Sequence, residues 1–209
     1  MQNAITVADL RRQLNLEFSE GDVILLGDKI AAATATVENY MGGPNGAALA
    51  SGTITFGSSI VATDDVTLNG ITFEAITTGP AADSQFLIGS TPEATAENFL
   101  AAVSAYIDAN GNDVIGACYS VAGAVLTIKA YEIGTEGNAF TLATSSAHVT
   151  LSGPTLTGGA YPPAPVAEAV RLLASHLFEN REASLVGVTA KELPFGFTDL
   201  LSSYRAWSF

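Results

Sequence analysis

Hydrophobic residues recur at helical spacing through the first forty-two residues of the chain. The stretch "TVADL" predicts a helix start, with Thr6 as N-cap and Asp9 three residues later as its capping-box partner. After a break at "EFS", Ser19 is placed to cap a second helix. The apolar positions of that helix fall on one stripe: Val23, Leu26, Ile30, Val37 and Met41. The Gly- and Pro-containing "GGPNG" then predicts its end.

The pattern changes to alternating, β-rich segments from there to about residue 160. The segments "SGTITF" and "DDVTLNGITFEAI" predict strands, and Asn69-Gly70 predicts a tight hairpin turn. A helix is predicted in "TPEATAENFLAAVSAYIDANG", capped by Thr91, with Pro92 at its first position and Gly111 after its end. The segments "VIGACYSV", "AVLTIKA", "AFTLAT" and "HVTLSG" predict further strands, so we expect an α/β module of antiparallel strands plus one helix.

Helical spacing returns in the last fifty residues. A Pro-rich entry, "GGAYPPAP", precedes a helix predicted from Val166 to about Ala183, and "DLLSSYRAW" predicts a short closing helix. Neither helical flank alone can bury its apolar stripe. We therefore predict an α+β fold in which a small all-helical domain, residues 1–43 and 160–209, is interrupted by an inserted β-rich domain, residues 44–159.

Composition limits the possible partners. Charged residues make up 14% of the 209 residues, and the net charge is −13. Between residues 43 and 160, Lys129 is the one basic residue against ten acidic ones: Asp64, Asp65, Glu74, Asp83, Glu93, Glu97, Asp108, Asp113, Glu132 and Glu136. Such a surface repels phosphate backbones. With neither an apolar run long enough to span a membrane nor a signal-peptide pattern at the start, the sequence predicts a soluble protein without an export signal.

The segment "RLLASHLFENREA" is the richest in possible chemistry. His176 lies one turn before Glu179, and an H-x-x-E pair could ligate a metal if a third ligand came from elsewhere. The apolar face of the same helix contains Val166, Val170, Leu173, Ala174 and Leu177. Arg181 projects on that apolar side near the helix end, where it suits a carboxylate partner or the terminal carbonyls. We interpret the helix as a packing element, and we predict no metal site in it.

Other candidate sites are weaker. The segment "DANGND" begins like a calcium loop, but Asp113 stands where that loop requires Gly, and Tyr119 stands where it requires Glu. The segment "GTEGNAF" lacks the glycine spacing and the Lys of a phosphate-binding loop. Cys118 lies in an apolar segment and is predicted to be a core residue. We therefore expect no catalytic residues, no cofactor and no enzymatic activity.

Four segments of the flanks resemble the head–tail connector (adaptor) proteins of tailed bacteriophages: "ITVADLRRQLNL", "DVILLGDKIAAATATVENYMG", "AVRLLASHLFENREA" and "LPFGFTDLLSSYRAW". Their order and the shared ending carry the resemblance, which covers about 90 residues. One departure is Phe178, where the family has Tyr, and a larger one is the long intervening block. That block resembles a module of phage virion proteins, through "DDVTLNGITFEAI", "AADSQFLIGSTPEATAENFLAAV" and "KAYEIGTEGNAFTLAT". Its role is not fixed by this second resemblance.

The resemblance implies a structural virion protein, made in the host cytoplasm and located at the head–tail connector. Twelve copies would form a ring beneath the portal protein, extend the DNA channel and meet the next tail or stopper protein. DNA would pass through without sequence-specific binding, and no membrane is involved.

Aromatic and basic residues are concentrated at the end of the chain. Trp, Tyr and Arg are enriched where a few side chains contribute most of the binding energy. We therefore predict a portal or subunit interface at Tyr204, Arg205, Trp207, Phe209 and Arg181. The alternative is that the terminal aromatics cover the core of their own domain.

Two other functions stay open at this point. The acidic β-rich block could be a binding module for a saccharide, a cation or a host surface. Its aromatics lie mostly on apolar periodicities: Phe56, Phe73, Phe86, Phe99, Tyr106, Tyr119, Tyr131 and Phe140. An enzyme is the other alternative, but no paired catalytic residues support it.

Overall fold

The fold is mixed α and β. The structure, a computed structural model, describes residues 2–17, 20–79, 82–111, 114–179 and 196–206, without the side chains of 20–22. Within these ranges the helices are α1 Val7–Leu14, α2 Glu20–Met41, α3 Pro92–Asn110, α4 Ala164–Glu179 and α5 Gly196–Leu201. The strands are β1 Leu49–Phe56, β2 Asp65–Leu68, β3 Ile71–Ile76, β4 Gln85–Leu87, β5 Cys118–Ala122, β6 Val125–Ile133, β7 Leu142–Ala143 and β8 Val149–Leu151.

Two compact units divide the chain. The helical unit comprises Met1–Ala47 and Tyr161–Phe209, and the β-rich unit comprises Ala48–Ala160. Each unit has a separate buried cluster of hydrophobic side chains. The predicted insertion of one domain into another requires that each unit fold independently. This independence stays a prediction.

Helix α1 begins at the predicted capping box. The Asp9 backbone N–H donates to Thr6 Oγ1 at 3.1 Å, and the Thr6 backbone N–H donates to the Asp9 carboxylate at 3.0 Å. The two bonds satisfy amide groups that have no partner within the helix. Asn15 ends the helix in the left-handed conformation, with φ of 51°. The predicted cap of the second helix, Ser19, lies outside the described residues.

The core of the helical unit combines both flanks of the chain. On α2, Leu26, Ile30, Val37 and Met41 are buried and Val23 is half-buried, which confirms the predicted stripe. The predicted face of α4 is also confirmed, because four of its five residues are buried and Leu177 packs against them. The buried members from the two flanks are Ala4, Ile5, Leu10, Leu26, Ile30, Ala33, Val37, Met41, Val166, Ala169, Val170, Leu173, Ala174, Phe197 and Leu201.

The β-rich unit contains two four-stranded sheets, with strand orders β5-β6-β1-β8 and β4-β3-β2-β7. At the β2–β3 turn Asn69 and Gly70 both have positive φ, 45° and 88°, as the predicted hairpin requires. Helix α3 starts as predicted, with the Ala94 N–H donating to Thr91 Oγ1 at 3.2 Å. Gly111 follows its end with φ of 83°.

The strands differ from the prediction in extent and in one pairing, although each segment predicted as a strand contains one. Strand β4 was not predicted, and it pairs with β3 in parallel, so the module is not purely antiparallel. Three residues are too few to show alternation, and parallel pairing has no short sequence signal. The strand expected from Val114 begins only at Cys118, and "AFTLAT" contains a strand of two residues, Leu142–Ala143. Two apolar residues before β5, Ile115 and Ala117, are buried in the core although they do not belong to a strand.

Aromatic rings form the centre of the β-rich core. The ring of Phe99 on α3 lies 5.3 Å from Phe56, 5.5 Å from Phe73 and 5.0 Å from Phe86, measured between centroids. All four side chains are at most 2% exposed. Since Phe56 belongs to one sheet and Phe73 and Phe86 to the other, Phe99 joins both sheets to the helix.

Candidate subunit interface

The described end of the chain returns to the end of α2. Phe197 and Leu201 of α5 are buried in the helical core, and the Phe197 ring lies 5.8 Å from the ring of Tyr40. The guanidinium of Arg205 lies over the Tyr40 ring, 5.3 Å from its centroid. The Ala206 N–H donates to the Met41 carbonyl oxygen at 2.7 Å. The segment is therefore held to its own unit as far as Ala206.

The predicted interface residues divide into two groups. Arg205 contacts Tyr40 of its own chain, and Tyr204 is 38% exposed, with a surface available to a partner. Trp207, Phe209 and Arg181 lie outside the described residues. Phe197 and Tyr40, which position the segment, were not among the predicted site residues. Their signal in the sequence is an aromatic residue next to a helix terminus, with Tyr40 before the end of α2 and Phe197 after the start of α5.

Truncation after Tyr204 separates an interface role from a role in the core. We expect the free energy of unfolding to fall by about 1–2 kcal/mol, for one hydrogen bond and one exposed cation–π contact. Portal attachment should be lost if the missing residues dock. Thermal denaturation and a pull-down measure the two effects, with full-length Arg205→Gln as control for the cation–π contact. A loss well above this range would assign the last residues to the core of their own unit.

Helix α4 presents a polar face opposite its buried one. His176 and Glu179 are exposed there, and Arg171 forms an ion pair with Glu168. Ser175 Oγ is buried and has no hydrogen-bond partner among the described residues. Within the described ranges no group of three His, Cys, Asp or Glu side chains could hold a metal ion. The His176–Glu179 pair has no third ligand in that part of the chain.

We expect His176→Gln to leave both metal content and assembly unchanged, because the side chain lies exposed on a helix face. Elemental analysis of the purified wild type and of the variant measures bound metal per chain. Glu179→Gln is the matched control on the same face. Stoichiometric zinc or manganese in the wild type that disappears in both variants would identify a metal site.

Basic side chains meet where α1 faces α4. Arg12 lies 3.3 Å from the Asp9 carboxylate, and Asp9, Arg12, Gln13 and Arg171 line one open pocket. Burial acts to raise the pKa of the Asp9 carboxyl group. The hydrogen bonds from Thr6 and the charges of Arg12 and Arg171 outweigh burial and lower the pKa below its ordinary value of 3.8. The two arginines have carboxylate partners in their own unit, Asp9 for Arg12 and Glu168 for Arg171. We therefore assign the cluster to the stability of the helical unit.

The lowered pKa of Asp9 makes the stability of the helical unit depend on pH. The stabilisation is present above the unfolded-state pKa and is lost as the pH falls through the lower folded-state pKa. At neutral pH, Asp9→Asn should cost about 0.5–1 kcal/mol, since it weakens a capping box. The difference from the wild type should vanish in strong acid. Urea titrations across pH measure it, with the exposed Asp28→Asn as control, and a constant difference would contradict this assignment.

The weaker candidates of the sequence have structural roles where they are described. Asp108 and Asn110 belong to the last turn of α3. The Asn110 side chain donates to the Tyr106 carbonyl at 3.0 Å, so this segment is a helix end. Asn112 and Asp113 lie outside the described residues. A Cβ on Gly137 would lie 2.6 Å from the Ala130 Cβ, so this glycine of "GTEGNAF" permits close packing.

The prediction that Cys118 is a core residue is wrong. Its side chain is exposed. In β5 the alternate residues Tyr119 and Val121 pack against the core, and the strand pleat therefore turns Cys118 outward. Burial and the neighbouring Tyr131 raise the pKa of the Tyr119 hydroxyl, which donates to the Ile115 carbonyl.

The aromatic side chains of the β-rich unit do not form a platform for sugars. Four of the eight form the buried cluster, and three more are half-buried. Tyr131 is the exposed one, at 54%. A saccharide site of the stacking kind has little support in this unit.

Comparisons with known proteins give a structural likeness but no sequence match. No protein-family model matches the chain, and no curated protein matches it in sequence. The chain is similar to a solved chain described as "Neck of empty GTA particle computed with C6 symmetry", with 16% identity and a TM-score of 0.37. The alignment covers 99% of this chain and 91% of the other. Values this low do not establish a shared function. Among the described residues, no helix is long and apolar enough to cross a membrane.

Proposed function

We propose that the protein is a non-enzymatic virion component that joins phage head to tail. In this proposal, copies form a ring beneath the portal protein, extend the DNA channel and present a surface to the next tail or stopper protein. The helical unit supplies the connector body, and the β-rich unit is an insertion into it.

One observation carries the proposal. The four segments that resemble connector proteins are separated by long stretches of chain, yet each contributes to one buried cluster. Leu10 comes from the first segment, Ile30 from the second, Leu173 from the third and Leu201 from the fourth. The connector body that the resemblance implies requires these four segments to pack together, and their shared cluster is consistent with it.

The charge distribution supports a passive DNA channel. Of the nine described acidic residues of the β-rich unit, seven are exposed: Glu74, Asp83, Glu93, Glu97, Asp108, Glu132 and Glu136. Acidic surfaces repel phosphate, so passing DNA is kept from binding tightly. The resemblance adds the portal and the tail as partners, and it implies no cofactor.

Purified particles test the proposal. Mass spectrometry of intact virions should find the chain as a component, and a knock-out should accumulate filled heads and free tails that do not join. Complementation with the wild-type chain restores joined particles and controls for effects on neighbouring genes. Knock-out particles with normal junctions but without attachment to cells would favour the host-binding alternative.

A further inference from the structure

The first edge of the sheet β5-β6-β1-β8 leaves main-chain groups without partners. A two-residue turn joins β5 to β6, and Ala122 pairs with Val125 beside that turn. In such a hairpin, Cys118, Ser120 and Ala122 exchange hydrogen bonds with β6. The N–H and C=O groups of Tyr119 and Val121 therefore point away from the sheet, and no described residue bonds to them.

The opposite edge, β8, has the same arrangement. The Gly57 N–H donates to the His148 carbonyl at 2.8 Å, and the Ser152 N–H donates to the Thr53 carbonyl at 2.9 Å. These bonds direct the main-chain groups of 148, 150 and 152 toward β1. The main-chain groups of Val149 and Leu151 therefore point outward, again without a described partner.

The two edges match in direction and in pleat. The four strands are all antiparallel to their neighbours, so β5 and β8 run in opposite directions. On both edges the residues with outward main-chain groups turn their side chains toward the core. A second copy can therefore place its β8 beside β5 as the next antiparallel strand, without breaking the alternation of the sheet.

Neither edge strand carries a side chain that discourages such pairing. Charged residues and Pro on an edge strand discourage association, and both strands lack them. The unit is strongly acidic, yet the exposed side chains of these two strands are small and uncharged. They are Cys118, Ser120, Ala122 and Thr150. In the other sheet the edges are engaged, because Asn98 donates to the Leu87 carbonyl of β4 and Leu142 of β7 donates to the Pro154 carbonyl.

We propose that β5 of one copy pairs with β8 of the next copy, which continues the sheet from subunit to subunit. With Ser120 opposite Thr150 of the neighbour, the four residues whose main-chain groups point away from the sheet are paired. Tyr119 then lies opposite Leu151, and Val121 lies opposite Val149. The contact is head-to-tail, so it generates a closed ring or an open chain of copies. This pairing assigns the β-rich unit a role in the contact between subunits. It depends on the proposed ring but does not depend on the portal as partner.

Cysteine cross-linking of the full chain tests this register. In a Cys118→Ser background, Ser120→Cys and Thr150→Cys together should give disulfide-linked dimers, trimers and higher species on mild oxidation. Each single variant should stay monomeric on a non-reducing gel, and a mixture of the two should give dimers only. Thr55→Cys with Ser120→Cys is the matched control, because Thr55 is an exposed threonine on the inner strand β1.

Charge variants give a second measurement in which folding is not at risk, since both positions are exposed. Ser120→Lys with Thr150→Glu should associate about tenfold more tightly in sedimentation than Ser120→Glu with Thr150→Glu, about 1.4 kcal/mol. A wild type that is monomeric at every concentration, or a double-cysteine variant without a ladder, overturns the proposal. Dimers from Ser120→Cys alone would show that β5 pairs with β5 instead. Failure of the protein to bind portals would leave these outcomes unchanged and count against the proposed function only.

Discussion

Replacing residues 48–160 by a short Gly/Ser linker should leave a folded, soluble helical protein. The chain enters and leaves the β-rich unit at adjacent positions, because the Ala48 N–H donates to the Ala160 carbonyl at 3.0 Å and the Ala160 N–H donates back at 3.1 Å. Two such residues lie about 5.5 Å apart between Cα atoms, which a few linker residues span. The core of the helical unit contains no residue of the removed segment.

Circular dichroism and thermal denaturation measure the result. We expect a helical spectrum and one cooperative transition, and the isolated 48–160 segment should fold as well. The matched control removes 48–124 only, which leaves β6 and β8 without their sheet partner β1 and should aggregate. An unfolded product from the complete deletion would mean that the helical unit depends on the insertion.

Phe99→Ala should destabilise the β-rich unit by about 3–5 kcal/mol. The side chain is fully buried and its ring contacts three other phenylalanines, so the substitution leaves a cavity between both sheets and α3. A domain of this size has a total stability of about 5–15 kcal/mol, so the loss is a large part of it.

The effect should be confined to one unit. Calorimetry should show two transitions, of which Phe99→Ala lowers one and leaves the other in place. Tyr131→Ala is the matched control, because it removes an aromatic ring that is 54% exposed, and it should cost little. A single transition that shifts as a whole would show that the two units unfold together.

Local signals in the sequence predicted much of the secondary structure. The capping box of Thr6 and Asp9, the turn at Asn69-Gly70 and the cap of Thr91 each depend on residues within a few positions of one another. The apolar stripe of α2 was equally clear, since helical periodicity extends over many residues. These features are confirmed because each depends on residues that are close together in the sequence or on one long periodic pattern.

Features that depend on distant partners were missed. The short strand β4 exists because β3 lies beside it, and nothing within three residues indicates that neighbour. Cys118 was assigned to the wrong face because its segment is apolar on both faces, and only the pairing with β6 sets the register. In the candidate interface, Arg205 contacts Tyr40 of α2 in its own chain, and the sequence separation of the two residues hides that contact. The predicted interface role of Arg205 stays a prediction.

Electron microscopy of the purified protein, alone and mixed with the portal protein of the same particle, tests the connector function most directly. We predict rings with a central channel that sit coaxially on one end of the portal. The deletion of 48–160 serves as control, because a variant that still binds the portal but forms weaker rings would assign contacts between subunits to the β-rich unit. Uniform monomers that do not bind the portal would contradict the connector function.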